Sequence, residues 1–228
     1  MKHIYFDLDN TLWDFDTNSK QTLIEVSDEF KIESLSGVPR DYFITRYLFH
    51  NDRFWGLYRE NKVSKSRLRS ARFEFALRDV GLGDKRLAKL MGKAYLEQSP
   101  LKTGLNEGAI SVLSKLQSAG LSMHILSNGF HEVQLLKLEK CNLRTYFNEV
   151  ITSERANSKK PDPRIYEYAM RLTGSIPENS VMIGDHSDID VIGALNCGWR
   201  AIHFNQKGEQ HNYESISCLE ELVPLLCK

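Results

Sequence analysis

The sequence predicts an α/β fold in which a doubly wound parallel sheet carries an inserted all-helical domain. Short apolar runs alternate with helix-like segments after Pro100, which is typical of a parallel sheet covered on both faces. Residues 16–99 instead repeat apolar side chains every three or four positions and contain no convincing strand. At 228 residues and 41% hydrophobic content, the chain is long enough to bury such a core and an insert.

The strands and helices of the predicted sheet follow one another in a regular order. A first apolar run, Lys2–Phe6, precedes the helical insert. Four more runs of strand length come after it, namely Ser122–Asn128, Phe147–Ser153, Ser180–Asp185 and Arg200–Asn205. Helical patterns separate these runs, and several stop at a glycine: Asn106–Ala119, His131–Cys141, Asp162–Thr173 and Asp188–Asn196. The sequence therefore predicts at least five strands in a Rossmann-like sheet.

The insert differs in its pattern from the sheet that it interrupts. Between residues 16 and 99 apolar side chains recur at helical spacing, as they do at Phe43 and Tyr47. The change of pattern on either side of this segment marks the domain boundaries. We therefore predict a core domain of residues 1–15 and 100–228 and a helical domain of residues 16–99.

Composition and charge exclude several classes of protein. Thirty Lys and Arg residues balance thirty Asp and Glu residues, so no overall field favours nucleic acid or an anionic membrane. The four cysteines form no CxxC pair, which favours reduced thiols. No run approaches the roughly 20 apolar residues of a membrane span, and the first residues do not resemble a signal peptide. We therefore expect a cytoplasmic monomer or homodimer that binds neither nucleic acid nor membranes.

Polar side chains follow several of the predicted strands at their carboxyl ends. Open parallel sheets bind their ligands in the crevice at those ends, so we expect these side chains to lie close together. They include three kinds of group, namely carboxylates, a hydroxyl with nearby N–H groups, and an ammonium. The set consists of Asp7, Asp9, Ser127, Asn128, Gly129, Lys160, Gly184, Asp185 and Asp190.

This set of groups suits phosphoryl transfer. Converging carboxylates raise each other's pKa, and their oxygen atoms select Mg²⁺ over Zn²⁺ as the cation that relieves the repulsion. Ser127 offers a hydroxyl, and the N–H groups of Asn128 and Gly129 suit an anion near a helix start. Lys160 adds a positive charge for the phosphate or for the nucleophile. One Asp can attack phosphorus to give an aspartyl-phosphate, while a second carboxylic acid moves the proton.

Four motifs in order resemble those of the haloacid dehalogenase superfamily. They are Asp7-x-Asp9-x-Thr11, the strand-end Ser127, Lys160-Pro161, and Gly184-Asp185 followed by Asp190. The insert lies between the first and second motifs, as the helical C1 cap of that superfamily does. The resemblance spans the whole chain, and it implies a Mg²⁺-dependent phosphatase whose Rossmann-like core carries a cap domain.

The resemblance implies a role for each motif residue. Asp7 would be the nucleophile and a Mg²⁺ ligand, and Asp9 would be the general acid and base that binds the metal through its backbone carbonyl. Asp185 would be the third protein ligand, and Lys160 would hold phosphoryl charge. The other residues would support these four: Thr11 and Ser127 by orienting Asp9 and the phosphate, Asn128 by contacting the phosphate, and Asp190 by steering Lys160 or a metal-bound water.

Two positions refine the resemblance. His186 stands where a small hydroxyl residue is usual, which leaves the local hydrogen bonding open. The dehalogenases and phosphonatases of the superfamily lack an Asp at the position of Asp9, because they have no alcohol leaving group to protonate. The sequence therefore favours a phosphatase over a dehalogenase. A phosphomutase of the β-phosphoglucomutase type keeps both Asp residues and stays an alternative.

The predicted cap favours one class of substrate. Residues 54–73 resemble the pyrimidine nucleotidases of the superfamily, and nine basic residues oppose three acids between Arg40 and Arg72. The same aromatic residues are more often a helix core, and the same basic residues are as often a solvated face. We expect a nucleoside 5′-monophosphate as the substrate. The candidate substrate-selecting residues are Trp55, Tyr58, Arg59 and Arg72, with Phe73 sharing the likeness.

Other functions stay open from the sequence alone. The chain could instead act on a sugar phosphate or on phosphoglycolate, or it could be a mutase. It could also be a catalytically idle binding module, but such a protein is free to lose at least one motif residue, and this chain keeps them all. His3, His124 and His203 lie on or beside predicted strands without ligand spacing, and we expect them to be structural.

Overall fold

The protein folds into two compact units. The computed structural model describes residues 2–227. Met1–Phe15 and Lys102–Lys228 make up one unit, the core unit, and Asp16–Leu101 make up the other, the helical unit. The second boundary lies two residues beyond the predicted one, because a 3₁₀ turn, Ser99–Leu101, continues the last helix of the helical unit. That the helical unit acts as a cap stays a prediction.

The core unit is built on a six-stranded parallel sheet, so the predicted α/β fold is confirmed. Its strands are β1 (His3–Phe6), β2 (Ser122–Ser127), β3 (Glu149–Thr152), β4 (Ser180–Gly184), β5 (Arg200–Phe204) and β6 (Ser215–Ile216). Their order across the sheet is β3-β2-β1-β4-β5-β6. The sequence did not predict β6, because a strand of two residues carries no periodicity to detect.

The strand β1 lies inside the sheet between β2 and β4. Its register places Phe6 beside Ile125 of β2 and Ile183 of β4. Successive side chains point to opposite faces, so Ile4 and Phe6 enter one buried cluster while Tyr5 enters another. The sheet is therefore covered by apolar side chains on both faces, as a doubly wound fold requires.

The helical unit contains five α-helices, and no strand occurs among residues 16–101. The helices are α1 (Phe15–Glu29), α2 (Ile32–Ser36), α3 (Arg40–Arg59), α4 (Lys65–Asp79) and α5 (Lys85–Gln98). Side-chain caps start two of them. Ser64 accepts a hydrogen bond from the Arg67 N–H at the start of α4, and Asp84 accepts from the N–H groups of Arg86 and Leu87 at the start of α5.

The described part of the core unit contains six further α-helices. They are α6 (Ala109–Ser118), α7 (His131–Lys140), α8 (Ser153–Ala156), α9 (Pro163–Thr173), α10 (Ile192–Leu195) and α11 (Leu222–Leu226). A π-helical turn, Ser187–Val191, precedes α10 where the sequence predicts a single helix from Asp188. The Ile192 N–H donates to the Ser187 carbonyl and closes this wider turn, which carries Asp190.

Within residues 2–227, no helix has both the length and the apolar character that a bilayer crossing requires. The thiols of Cys141, Cys197, Cys218 and Cys227 are all free.

Candidate active site

Asp7 lies directly beyond β1, at the carboxyl edge of the sheet. Its main-chain N–H donates to the Ile183 carbonyl of β4 at 2.8 Å, which fixes the backbone at this point. From β1 the chain continues to β2 and β3 on one side of the sheet, and it later returns to β4 on the other. Asp7 therefore lies at the point where the strand order reverses, which is where open parallel sheets bind their ligands.

Lys160 joins two carboxylates at this edge of the sheet. Its Nζ lies 2.7 Å from Asp7 Oδ1 and 2.6 Å from Asp190 Oδ1, and its side chain is only 1% exposed. The described residues donate no side-chain hydrogen bond to the other oxygen of Asp7, Oδ2. One oxygen of Asp7 is thus held by the ammonium, and the second is left for another partner.

Asn128 holds the backbone of Lys160 in place. The amide oxygen of Asn128 accepts from the Lys160 N–H at 2.8 Å, and its amide nitrogen donates to the Lys160 carbonyl at 2.9 Å. These two bonds hold the amide against the loop that presents Lys160. The contact of Asn128 with a phosphate, which the sequence suggested, stays a prediction.

Asp190 reaches the site because of a glycine and a main-chain N–H. Its Oδ2 accepts from the His186 N–H at 3.2 Å, so the unusual residue at 186 contributes its backbone to this contact. A Cβ at Gly184 would overlap the carboxylate of Asp190. Only glycine at the end of β4 therefore lets Asp190 approach the strand so closely.

Burial changes the pKa of three groups in this cluster. Burial raises the pKa of Asp7 to about 7, Asp190 adds to the rise, and Lys160 opposes it. Burial also raises the pKa of Asp185 to about 8, and the charges of Asp190 and Asp7 add to the effect. For Lys160, burial acts to lower the pKa, but Asp190 and Asp7 outweigh it and leave the pKa above its ordinary value. The cluster therefore lacks positive charge for all its acids to be ionised.

The donor set of the cluster fits Mg²⁺. Asp7, Asp185 and Asp190 each offer a carboxylate oxygen within 4.8 Å of the other two. Oxygen-only donors suit this hard cation, and a bound cation would lower the raised pKa values of Asp7 and Asp185. Both carboxylate oxygens of Asp190 already accept hydrogen bonds, one from Lys160 and one from the His186 N–H, so Asp7 and Asp185 are the acids left to hold the metal. The carboxylate of Asp9 contacts Gln134 and Lys137. That Asp9 binds the metal through its main-chain carbonyl stays a prediction.

Thr11 contacts a different acid from the one we expected. Its hydroxyl donates to Asp185 Oδ1 over a long 3.4 Å, whereas the sequence predicted that it would orient Asp9. Asn10, between the two, has a left-handed φ of 57° and reverses the chain there. The reversal directs Thr11 and Asp9 to different neighbours.

Two residues that the sequence did not single out hold the carboxylate of Asp9. Lys137 Nζ pairs with Asp9 Oδ1, and Gln134 Nε2 donates to Asp9 Oδ2 at 2.9 Å. Both side chains are buried, and they lie three residues apart on one face of α7. Two polar residues on the buried face of the helix that follows Ser127 were the signal that could have revealed them.

Ser127 ends β2 and makes two contacts as an acceptor. Its hydroxyl oxygen accepts from the Gly129 N–H at 3.1 Å and from Gln134 Nε2 at 2.8 Å. Gln134 therefore bridges Ser127 and Asp9, which lie at the ends of neighbouring strands.

The candidate residues of the helical unit differ in exposure. Trp55 and Arg59 are half-buried, and Tyr58 is buried with its ring edge-on to Trp55, the ring centroids being 5.7 Å apart. Phe73 is fully buried in the apolar core of the unit, so it is a packing residue. Trp55 and Arg59 are therefore the residues of this group with appreciable exposure.

Arg72 is buried inside the helical unit. It is 3% exposed, and its guanidinium donates to Asn51 Oδ1 at 2.8 Å. The charge lies 5.6 Å from the ring centre of Tyr47 and 5.1 Å from that of Tyr95. A direct contact of Arg72 with substrate, as the sequence suggested, stays a prediction.

The core site and the sequence as a whole point to one family. A model of the haloacid dehalogenase-like hydrolases matches residues 1–198. The chain belongs to this family. It is 29% identical to pyrimidine 5′-nucleotidase YjjG of Escherichia coli K12, over 99% of this chain and 97% of that protein. It is also 30% identical to (S)-2-haloacid dehalogenase 4A of Burkholderia cepacia, over 98% of this chain and 94% of that one.

A solved structure of the family shares the fold. The putative HAD-hydrolase YfnB of Bacillus subtilis, in a crystal form bound to magnesium, superposes with a TM-score of 0.87 at 23% identity. The match covers 99% of this chain and 98% of that one. The predicted membership of the haloacid dehalogenase superfamily is confirmed, and so is the predicted class of enzyme, a phosphatase of this family.

Proposed function

We propose that this phosphatase hydrolyses phosphomonoesters with Mg²⁺, through an aspartyl-phosphate on Asp7. The observation that carries the proposal is the contrast between the surroundings of Asp7 and Asp9. Asp7 is buried between Lys160 and the acid cluster and keeps Oδ2 unoccupied, whereas the half-buried Asp9 is held by α7. Two carboxylates in different environments can divide the work of nucleophile and proton carrier.

In the first half-reaction, Asp7 Oδ2 attacks phosphorus. The new O–P bond forms as the bond from phosphorus to the ester oxygen breaks, and Asp9 donates a proton to that departing oxygen. Lys160 keeps Asp7 Oδ1 in place and balances negative charge near the phosphoryl group. The hydroxyl of Ser127 binds a phosphoryl oxygen.

In the second half-reaction, water hydrolyses the aspartyl-phosphate. Asp9, now ionised, takes a proton from the water as its oxygen attacks phosphorus, and the bond between phosphorus and Asp7 breaks. Inorganic phosphate leaves and the carboxylate of Asp7 is restored. Asp7 and Asp185 would hold Mg²⁺, which would supply positive charge against the carboxylates and the phosphate.

The residue at position 9 supports ester hydrolysis over dehalogenation. A dehalogenase relative is as similar in sequence as a nucleotidase relative, so overall identity does not separate the two activities. A halide leaves without a proton, whereas an alcohol requires one. Asp9, with buried partners on each carboxylate oxygen, is a group placed to deliver that proton.

We further propose that the substrate is a nucleoside 5′-monophosphate and that the enzyme acts in the cytoplasm. The similarity to a pyrimidine 5′-nucleotidase over nearly the whole chain supports this substrate, as does the likeness of residues 54–73. The half-buried Trp55 is the aromatic ring that a base would stack on. Turnover of a panel of nucleotides, sugar phosphates and phosphoglycolate tests the choice, and a preference for a non-nucleotide would refute it.

The chemistry is tested with p-nitrophenyl phosphate. We expect turnover that requires Mg²⁺, stops on addition of EDTA and is lost in Asp7→Asn, which removes the nucleophile. Asp9→Asn should retain the fold and Mg²⁺ binding but lose most turnover of nucleoside monophosphates, by a factor on the order of 10²–10⁴. Turnover by Asp7→Asn at the wild-type rate would overturn the proposed mechanism.

A further inference from the structure

Lys137 is a buried ammonium whose described hydrogen-bond partner is Asp9. Its side chain is 4% exposed, it pairs with Asp9 Oδ1, and its Nζ lies 3.7 Å from the ring centre of Trp13. Burying an ammonium is costly unless an opposite charge compensates it. The ring of Trp13 and the carboxylate of Asp9 supply that compensation from two sides. The position of the Lys137 ammonium therefore depends on that of the Asp9 carboxylate, and the reverse also holds.

Gln134 uses both hydrogens of its amide at the site. Nε2 donates to Asp9 Oδ2 and to the Ser127 hydroxyl oxygen, and the ionised carboxylate, which only accepts, requires nitrogen on that side. The amide oxygen, Oε1, is buried without a hydrogen-bond partner among the described residues. An apolar side chain of similar size would fill the space without this penalty. A purely structural role does not account for glutamine here.

Gly129 makes room for that amide. A Cβ at Gly129 would overlap the side-chain amide of Gln134, which is fully buried, so the amide would have to move. The loops that follow β1 and β2 therefore both pack against the side-chain amide of Gln134 on α7.

The bridge also directs the hydroxyl of Ser127. A hydroxyl has two lone pairs and one hydrogen, and here the two lone pairs accept from Gly129 and Gln134. The hydrogen is the remaining group, and it must be donated. A phosphoryl oxygen at the carboxyl edge of the sheet is the acceptor that the proposed reaction provides.

We propose that Gln134 and Lys137 are positioning residues of the reaction. Together they hold one oxygen each of Asp9, and Gln134 links that carboxylate to the phosphate-binding hydroxyl of Ser127. The distance from the proton carrier to the phosphoryl group is thereby fixed. Each oxygen of Asp9 keeps a second lone pair, so the travelling proton has a place without loss of either contact. The inference rests on the proposed function, since it assigns partners to the acid and base of that reaction.

The test compares two substrates with different leaving groups. An alkyl phosphate such as a nucleoside 5′-monophosphate needs a proton on its leaving oxygen, whereas p-nitrophenolate leaves readily without one. The ratio kcat/KM reports only steps up to the first irreversible one, the formation of the aspartyl-phosphate. A residue that positions Asp9 must therefore affect kcat/KM for the alkyl ester more than for the aryl ester.

Four substitutions probe the two positioning residues, and a fifth serves as the control. For Lys137→Met and Gln134→Leu we expect kcat/KM to fall about 100-fold with the nucleotide and less than about 10-fold with p-nitrophenyl phosphate. Gly129→Ala should give the same pattern by displacing Gln134. Lys137→Arg, which keeps a buried cation, should recover part of the loss with the nucleotide. Lys140→Met, on the exposed side of α7, is the matched control and should leave both values unchanged.

Thermal unfolding and Mg²⁺ titration of each variant separate positioning from loss of structure. Gln134→Leu introduces an apolar side chain of similar size, so it keeps the test available if Lys137→Met does not fold. Equal losses for both substrates, or no loss in folded variants of an active enzyme, would overturn this inference and leave the proposed function standing. A wild-type enzyme that turns over neither ester would overturn both.

Discussion

In the core unit the buried ammonium of Lys160 lies between two carboxylates, whereas the buried guanidinium of Arg72 in the helical unit contacts an amide and two aromatic rings. Both side chains are almost fully removed from solvent. Among the described residues, no carboxylate forms an ion pair with Arg72. The buried cation Lys160 is thus compensated by opposite charge, and the buried cation Arg72 by neutral groups.

This contrast predicts opposite consequences when the cation is removed. In the core unit, the loss of the Lys160 ammonium leaves Asp7 and Asp190 buried without enough positive charge. A buried charge that has lost its partner strongly destabilises the folded state. In the helical unit, the loss of the guanidinium leaves neutral partners that are less costly to bury. Removal of Lys160 should therefore lower the free energy of unfolding more than removal of Arg72 does.

The largest effect is expected at Lys160. Replacement by Met should lower kcat with p-nitrophenyl phosphate about 10²–10³-fold, because charge next to the nucleophile and the phosphoryl group is lost. The free energy of unfolding of the core unit should also fall by about 3–5 kcal/mol, because Asp7 and Asp190 stay buried. Urea unfolding at neutral pH measures the second effect. A fully stable Lys160→Met protein would contradict the compensation of charge by charge.

The second-largest effect is the pH dependence of stability that His124 of β2 should cause. His124 is buried beside His3, with 3.2 Å between His124 Nε2 and His3 Nδ1, and burial lowers the pKa of His124 to about 4. Its folded pKa is below the unfolded value of about 6.5, so the unfolded chain takes up the proton first as the pH falls. Stability from this group is full above pH 6.5 and declines toward pH 4, by about 3 kcal/mol.

The replacement His124→Leu should flatten this decline. Urea unfolding at pH 7 and pH 5 should show that the wild type loses about 2 kcal/mol more than the variant between these values. An equal pH dependence in wild type and variant would exclude His124 as its source.

A smaller effect is expected at Arg72. Replacement by Met keeps the apolar contact with the two tyrosine rings but leaves Asn51 Oδ1 without its donor, which costs about 1–3 kcal/mol. Urea unfolding followed by the fluorescence of Trp55, with Trp13 and Trp199 each changed to Phe, reports on the helical unit. A loss as large as that from Lys160→Met would show that the two units do not differ in how they compensate charge.

The smallest effects are expected at two helix N-caps, one in each unit. Asp84 accepts from the main chain at the start of α5, and Asp162 accepts from the Arg164 N–H at the start of α9. Replacing either residue by Ala should cost about 1 kcal/mol in the unit that contains it. The two losses should be similar in urea unfolding, because capping is local. Unequal losses would mean that one unit also uses its cap for long-range contacts.

The strands and the acids at their ends could be predicted from the sequence because both depend on short-range patterns. Apolar runs bounded by turns predicted β1 to β5. Polar residues at the ends of those strands or directly after them predicted Asp7, Ser127 and Asp185 as site residues. Parallel strands bring their carboxyl ends to one edge, so strand order along the chain was enough to group the residues.

The contacts that depend on the rotation of a helix or the course of a turn could not be predicted. Gln134 and Lys137 matter because one face of α7 is directed at Asp9, and the sequence does not state which face that is. Thr11 follows a backbone reversal at Asn10, which sends its hydroxyl to Asp185. The local sequence does not determine the rotation of a helix about its axis or the direction in which a turn sends the next side chain.

The place of β1 in the sheet has a consequence for how the protein is made. This strand leaves the ribosome before the helical unit, and its neighbours β2 and β4 begin only at Ser122 and Ser180. The helical unit is continuous in sequence and can complete its own helices while β1 waits without partners. The acids of the site meet only after β4 has been synthesised. A chain released before that point would carry a finished helical unit and no capacity to turn over a phosphate ester.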